Sequence, residues 1–141
     1  MFRINDQDRP SDSHCRWFPG YPSQVAAARW FVIDRLHGCS RADDASLLAS
    51  ELATNAIRHT RSRRWRTGFL LTVDHTPGLR LRVTVRDAGA LETDKKPCAT
   101  LPAPDALHGR GLFLVNSIAS RWGTRREHLG RKTWFELDCH R

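Results

Sequence analysis

The sequence is short of acid, of paired cysteines and of long apolar runs, and each shortage excludes something. Acidic residues number 15 against 23 lysines and arginines, which leaves a formal net charge of +8. Such a surplus raises the question of nucleic acid. No helix-turn-helix pattern accompanies it, however, and the aromatics are not interleaved with basic residues as a base-stacking platform needs. No direct contact with nucleic acid is therefore expected. The arginines are widely spread apart from a denser cluster at Arg58, Arg61, Arg63, Arg64 and Arg66. That cluster reads as solvated surface or, more sharply, as a patch for an acidic partner or an anionic ligand. No apolar run approaches the roughly 20 residues needed to span a bilayer. The first dozen residues are polar and lack the apolar core of a secretory signal. A cytoplasmic protein without a membrane partner is expected. The four cysteines, Cys15, Cys39, Cys98 and Cys139, stand far apart. None forms a CxxC pair and no histidine lies at a zinc-finger spacing from one, so free thiols in a reducing compartment are expected. No internal repeat is apparent.

What is present suits one globular domain. The chain has 141 residues, 40% hydrophobic and 27% charged, enough for a single core. Residues 1–14 read as a disordered tail and residues 15–141 as the domain. Arg16-Trp17-Phe18-Pro19 reads as a short strand that its proline confines to an edge. A first helix is expected from residue 24 to about residue 37, capped by Ser23, with Val25, Ala28, Val32 and Leu36 on one side and Gly38 just past its end at C′. A second helix is expected over about residues 41–60, opened by the capping-box pattern at Ser40 and Asp43. Two strands follow, over residues 67–74 and 79–87, joined by the turn Thr76-Pro77-Gly78. In the second, Leu79, Leu81, Val83 and Val85 alternate with Arg80, Arg82, Thr84 and Arg86, the pattern of a sheet with one buried face. Periodicity then vanishes over residues 90–108, which contain Pro97, Pro102 and Pro104. A loop of that length is expected to be mobile or functional. A third helix is expected after Gly109-Arg110-Gly111, and a closing hairpin over residues 122–127 and 132–137, with Thr133, Phe135 and Leu137 on one face. This order predicts an α+β two-layer sandwich, with helices on one face of a mostly antiparallel sheet.

Polar residues in apolar positions carry the chemistry. At about 100° per residue, Leu47, Leu48, Leu52 and Ala56 form the apolar face of the second helix, with Glu51 and Asn55 in its middle, one turn apart. A carboxylate and an amide there cost several kcal/mol (order of magnitude) unless protein groups satisfy them or they line a polar cavity. Asp87 falls by parity on the buried face of its strand, and Gly89 lets the chain turn closely past it. Glycines opening a helix present bare N–H groups and the positive end of the helix dipole to phosphate. An aspartate at a strand end can accept from an exocyclic amine. An asparagine oxygen suits Mg2+, and a glutamate one turn away can take a proton from an attacking hydroxyl. His59, one turn beyond Asn55, reads as a satisfied core histidine before it reads as support behind the site, and His108 as an ordinary residue at the end of the loop. Singly these signals are weak; their order and spacing together are specific.

Together they resemble the GHKL, or Bergerat-fold, ATPase superfamily, and within it the anti-sigma-factor serine/threonine kinases. Glu51-Leu52-Ala53-Thr54-Asn55-Ala56-Ile57-Arg58-His59 is similar to the N box, Val85-Arg86-Asp87-Ala88-Gly89 to the G1 box and Gly109-Arg110-Gly111-Leu112 to the G2 box. Lys132-Thr133-Trp134-Phe135-Glu136-Leu137 is similar to the closing strand. The resemblance covers about residues 16–138. It implies an ATP- and Mg2+-dependent protein kinase with Glu51 as general base and Asn55 as the magnesium ligand. It implies that Asp87 reads the adenine amine, and that Gly89, Gly109, Arg110, Gly111, Leu112 and Thr133 complete the nucleotide site beneath a mobile lid. The partners it implies are a sigma factor, which the protein would sequester, and a STAS-type anti-anti-sigma protein, which it would phosphorylate; a homodimer is also implied. The chain departs from the pattern at Leu91, where the G1 box often has a further glycine, and no phosphoacceptor-histidine domain precedes it, which argues against a complete sensor kinase. The alternative is a non-catalytic regulator of the same fold that works by docking.

Overall fold

The alternation in residues 79–87 becomes strand β3 (Arg80–Asp87), at the centre of a five-stranded sheet. The computed structural model describes residues 9–59, 68–87, 107–128 and 130–139. Before β3 come β1 (Asp12–Pro19), helices α1 (Gln24–Arg35) and α2 (Ala42–His59), and β2 (Gly68–Thr76). After it come α3 (Leu107–Ile118), β4 (Arg121–Glu127) and β5 (Gly130–Asp138). The sheet order is β1-β2-β3-β5-β4 and every neighbouring pair is antiparallel.

Side chains directly opposite each other share a face, so the register sorts the sheet into rows. One row joins Phe18, Phe69, Asp87, Arg131 and Arg126; the next joins Arg16, Leu71, Val85, Thr133 and Thr124; the next joins His14, Val73, Val83, Phe135 and Trp122. The apolar members of these rows, with Leu81 and Leu137, are packed into one core with Ala28, Phe31, Val32 and Leu36 of the α1 region and Leu48, Leu52, Ala56 and Ile57 of α2. All three helices therefore cover the same face, which is the expected two-layer α+β sandwich. Each such Leu, Val or Phe contributes about 1.5–3 kcal/mol by leaving water. Phe18 pins the edge strand: its ring stacks on Phe69 at 5.4 Å between centroids and meets Phe31 edge-on at 5.8 Å.

Among the described residues, the opposite face carries no helix. On it Trp134 lies over Gly123 on one side while the Arg82 guanidinium sits 4.2 Å from its ring centroid. A Cβ on Gly123 would come within 2.9 Å of the indole, so glycine is what lets the ring lie flat. Thr84, paired with Trp134, is buried as a result.

Several local expectations need correction. The first strand begins at Asp12 rather than Arg16, so residues 12–14 belong to the sheet and not to a tail; pairing with β2 from Asp12↔His75 onward orders them. Ser23 is helical in backbone and makes no side-chain cap; α1 opens instead through Gln24 N–H donating to the Tyr21 carbonyl at 2.8 Å. The helix ends at Arg35 with Leu36 as C-cap. Gly38 takes a φ of 83° one residue later than expected, in the turn that Cys39 N–H closes onto the Leu36 carbonyl. Arg41, not Ser40, stands in the N-cap position of α2, because its carbonyl accepts the first helical hydrogen bond, from Ala45 at 2.9 Å. The turn between β2 and β3 is as read: Leu79 N–H reaches the Thr76 carbonyl at 3.0 Å and Gly78 takes a φ of 76°, with proline and glycine where a type II turn needs them.

Candidate functional site

Helix α2 is long because residues 42–59 contain neither proline nor glycine and are rich in alanine and leucine. Its buried residues are Ala45, Ser46, Leu48, Ala49, Leu52, Ala53, Ala56 and Ile57. At about 100° per residue this stripe is centred near Ala49 and Ala56. Leu47 is 38% exposed and lies off it. Glu51 and Asn55 therefore sit on the border of the buried stripe, beside Leu48, and not in its middle. The reason is that α2 packs against α1 and α3 as well as against β2, β3 and β5, so small alanines replace the expected Leu47 in the buried arc.

Both side chains are half-buried. Neither makes a hydrogen bond or ion pair with a described residue, whereas nearby polar groups on the same helix do. Thr54 donates to the Ser50 carbonyl at 2.7 Å and Ser50 to the Leu47 carbonyl at 2.6 Å. Two oxygen-bearing groups one turn apart, partly withdrawn from water and uncommitted, suit a ligand.

Asp87 ends β3 on the helix-covered face, as its parity predicts, and is half-buried. Its Oδ1 accepts from the Arg131 backbone N–H at 3.3 Å, which ties it to β5. Thr133 lies one row away on the same face, opposite Val85. Its hydroxyl is 3.2 Å from that of Thr124 on β4. The sheet thus places Asp87 and Thr133 on adjoining rows of the face across which α2 runs. Beyond the end of these strands opens a groove of about 370 Å³ lined by Arg86, Asp87, Glu127, His128 and Gly130. An ion pair between Arg86 and Glu127 at 3.1 Å crosses from β3 to β4.

Gly109 and Gly111 do not precede α3. They are its third and fifth residues, since the helix begins at Leu107. Only about the first four N–H groups of a helix lack an internal partner, so the Gly109 amide belongs to the set with no partner inside the helix, while Gly111 lies past it. Leu112 is half-buried in the same helix, which packs on α2 and β4. Gly89, the lid, Leu91 and the basic residues 61–66 lie outside the described residues, as do the side chains of His59, His108 and Arg110. Among the described residues, no helix is long and apolar enough to cross a membrane.

Sequence reasoning passed over Thr124 and the Arg131 amide. The first follows from the hairpin register, in which Glu127 pairs with Gly130 and Thr124 therefore stands opposite Thr133. The second is a backbone group, which no residue type announces.

The donor set fits a magnesium nucleotide. Glu51 and Asn55 offer uncommitted hard oxygens, which is what Mg2+ takes alongside water and phosphate. Asp87 offers a carboxylate at the sheet end, and α3 offers its first-turn amides. No curated protein matches the chain. The family model of the histidine kinase-like ATPase domain matches residues 18–137, from the phenylalanine that anchors β1 to the last core leucine of β5. With three helices laid over one face of this antiparallel sheet and a match along nearly the whole length, the chain belongs to the histidine kinase-like ATPase domain family, a GHKL-type ATP-binding fold.

Proposed function

We propose that the protein is a serine/threonine kinase of the anti-sigma type, which phosphorylates a STAS-type anti-anti-sigma partner and sequesters a sigma factor. The observation that carries this reading is the Glu51–Asn55 pair: half-buried, one turn apart, and with side chains free of described protein partners on a helix whose hydroxyls are satisfied. Asn55 would hold the metal through its amide oxygen. Glu51 would take the proton of the acceptor hydroxyl as general base. Asp87 would accept from the adenine amine while its Oδ1 stays on the Arg131 amide, and Thr133 would support the adenine from the adjoining row. When bound, Mg·ATP supplies the phosphoryl group and the charge that neutralises it in transfer; positioning is then most of what the protein must do.

The test is transfer of labelled phosphate from ATP to a STAS protein by the wild type and by Glu51→Ala. Equal rates in the two would remove Glu51 from the chemistry. Absence of transfer by either, with nucleotide still bound, would favour the second reading: a regulator of the same fold that docks without phosphorylating. One observation favours that alternative, namely Gly111 lying inside α3, where its amide is already committed. The partners, the cytoplasmic setting and a homodimer are part of this proposal.

A further inference from the structure

At the other end of the sheet, three side chains from remote parts of the chain converge. Cys39, His75 and Cys139 place their sulfur and imidazole nitrogen atoms within 4.8 Å of one another. Each is held by its backbone. Cys39 lies in the link between α1 and α2, with its N–H on the Leu36 carbonyl at 2.9 Å. His75 is in the ladder of β2, opposite Asp12 and Leu81. Cys139 follows β5, with its N–H on the Leu79 carbonyl at 2.9 Å. Cys139 is 5% exposed and the other two are half-buried. Along β3, the Leu81 row stands six residues from the Asp87 row, about 20 Å at the rise of a strand. The cluster is therefore separate from the nucleotide site.

We propose that Cys39, Cys139 and His75 form a binding site for a divalent cation of the zinc type, with the fourth position taken by water. The two sulfurs are 3.7 Å apart. A tetrahedral zinc with Zn–S bonds of about 2.3 Å holds two thiolate sulfurs about 3.8 Å apart, whereas a disulfide needs about 2.05 Å. Thiolate and imidazole donors select borderline-soft ions over Mg2+, which takes oxygen. Two thiolates, one neutral imidazole and a divalent cation also sum to zero charge, which a partly buried place tolerates. Arg41 is the cation nearest the site in effect. It is committed to Asp44 at 3.1 Å and to the Asp138 carbonyl at 3.2 Å, and it does not replace the metal. Bound there, the ion joins the α1–α2 link, the end of β2 and the end of β5, three segments that no disulfide links.

The test uses the full chain carrying Cys15→Ser and Cys98→Ser, reduced and stripped of metal, so that Cys39 and Cys139 are its remaining thiols. Cobalt(II) titration should saturate at a 1:1 ratio, with thiolate-to-cobalt charge-transfer bands and the strong visible bands of a tetrahedral ion. Zinc should displace the cobalt and raise Tm. Adding Cys39→Ser or His75→Gln should weaken cobalt binding by about tenfold or more, with the circular dichroism of the metal-free protein unchanged. A parent protein that shows no charge-transfer band at saturating cobalt overturns the proposal, and does so even if a variant fails to fold. Cobalt bound as tightly by Cys39→Ser as by the parent overturns it as well. So does a reduced protein that ignores both metals but forms a Cys39–Cys139 disulfide in air, which would assign the pair to thiol chemistry alone.

Discussion

Asp87 accepts a hydrogen bond from the Arg131 backbone N–H through Oδ1 at 3.3 Å, so one carboxylate oxygen serves the sheet. Asp87→Asn separates this structural role from recognition of the base. The amide keeps an oxygen for Arg131 but can present N–H groups where an adenine amine needs an acceptor. Nucleotide affinity should fall by about tenfold to a hundredfold, the effect of facing one donor with another. The amide can still accept from the Arg131 N–H, so the variant should remain folded, with a cooperative thermal transition. Calorimetric titration with Mg·ATP and a thermal melt check both halves, and unchanged affinity would take Asp87 out of the base-reading role.

The Glu51 side chain makes no bond to a described residue, so its removal has little native structure to disturb. Glu51→Ala should alter stability by no more than about 0.5 kcal/mol, as for other substitutions that break no contact. Phosphoryl transfer to the partner protein should fall about a hundredfold or more, the size expected for a general base. Single-turnover transfer beside a denaturant melt measures the two effects in one preparation.

Asn55→Ala should act on the metal. Nucleotide binding in the presence of Mg2+ should drop towards the affinity measured in excess chelator, while that metal-free affinity changes little. Equal losses with and without Mg2+ would mean that Asn55 contacts the nucleotide itself.

Gly123 lies beneath the Trp134 indole, where a Cβ would come within 2.9 Å of the ring. Gly123→Ala should cost about 1–3 kcal/mol, the range for forcing atoms into a packed place. Combining it with Trp134→Leu should recover part of that loss, because the ring is what the methyl meets. Additive costs in this double-mutant cycle would place the strain in the β4 backbone.

Phe18 is 1% exposed and joins the edge strand to both layers through Phe69 and Phe31. Phe18→Ala should destabilise the domain by about 3–5 kcal/mol. Amide exchange should rise first in β1, since the rest of the sheet is paired without it.

The strands were legible because their period is two: Asp87 and Thr133 lie on the face that parity assigns them. The buried arc of α2 was less so. Leu47 is apolar and its spacing assigns it to the core, yet alanines fill that arc because the helix has neighbours on several sides. Composition cannot tell a small residue chosen for close approach from one chosen for helix propensity. Gly109 and Gly111 suggested a break before α3, but the helix begins at Leu107 and contains both; tertiary packing outweighs about 1 kcal/mol of glycine penalty at each. The cysteines illustrate the widest gap. Spacing rules find ligands that are close in sequence, and Cys39, His75 and Cys139 come together only through the pairing of strands far apart in the chain.

Strand β4 forms one border of the sheet and carries Arg121, Arg125 and Arg126 with most of its residues exposed. A second copy adding strand to strand along this border would bring like charges to about 5 Å across the new ladder, and such pairs are unfavourable. Open backbone groups on a flat margin invite fibrils unless something repels the newcomer. Arg125 and Arg126 supply that repulsion electrostatically, Arg121 being paired with Glu136 and Asp138, so the safeguard weakens in concentrated salt, where charges more than about 3 Å apart are screened.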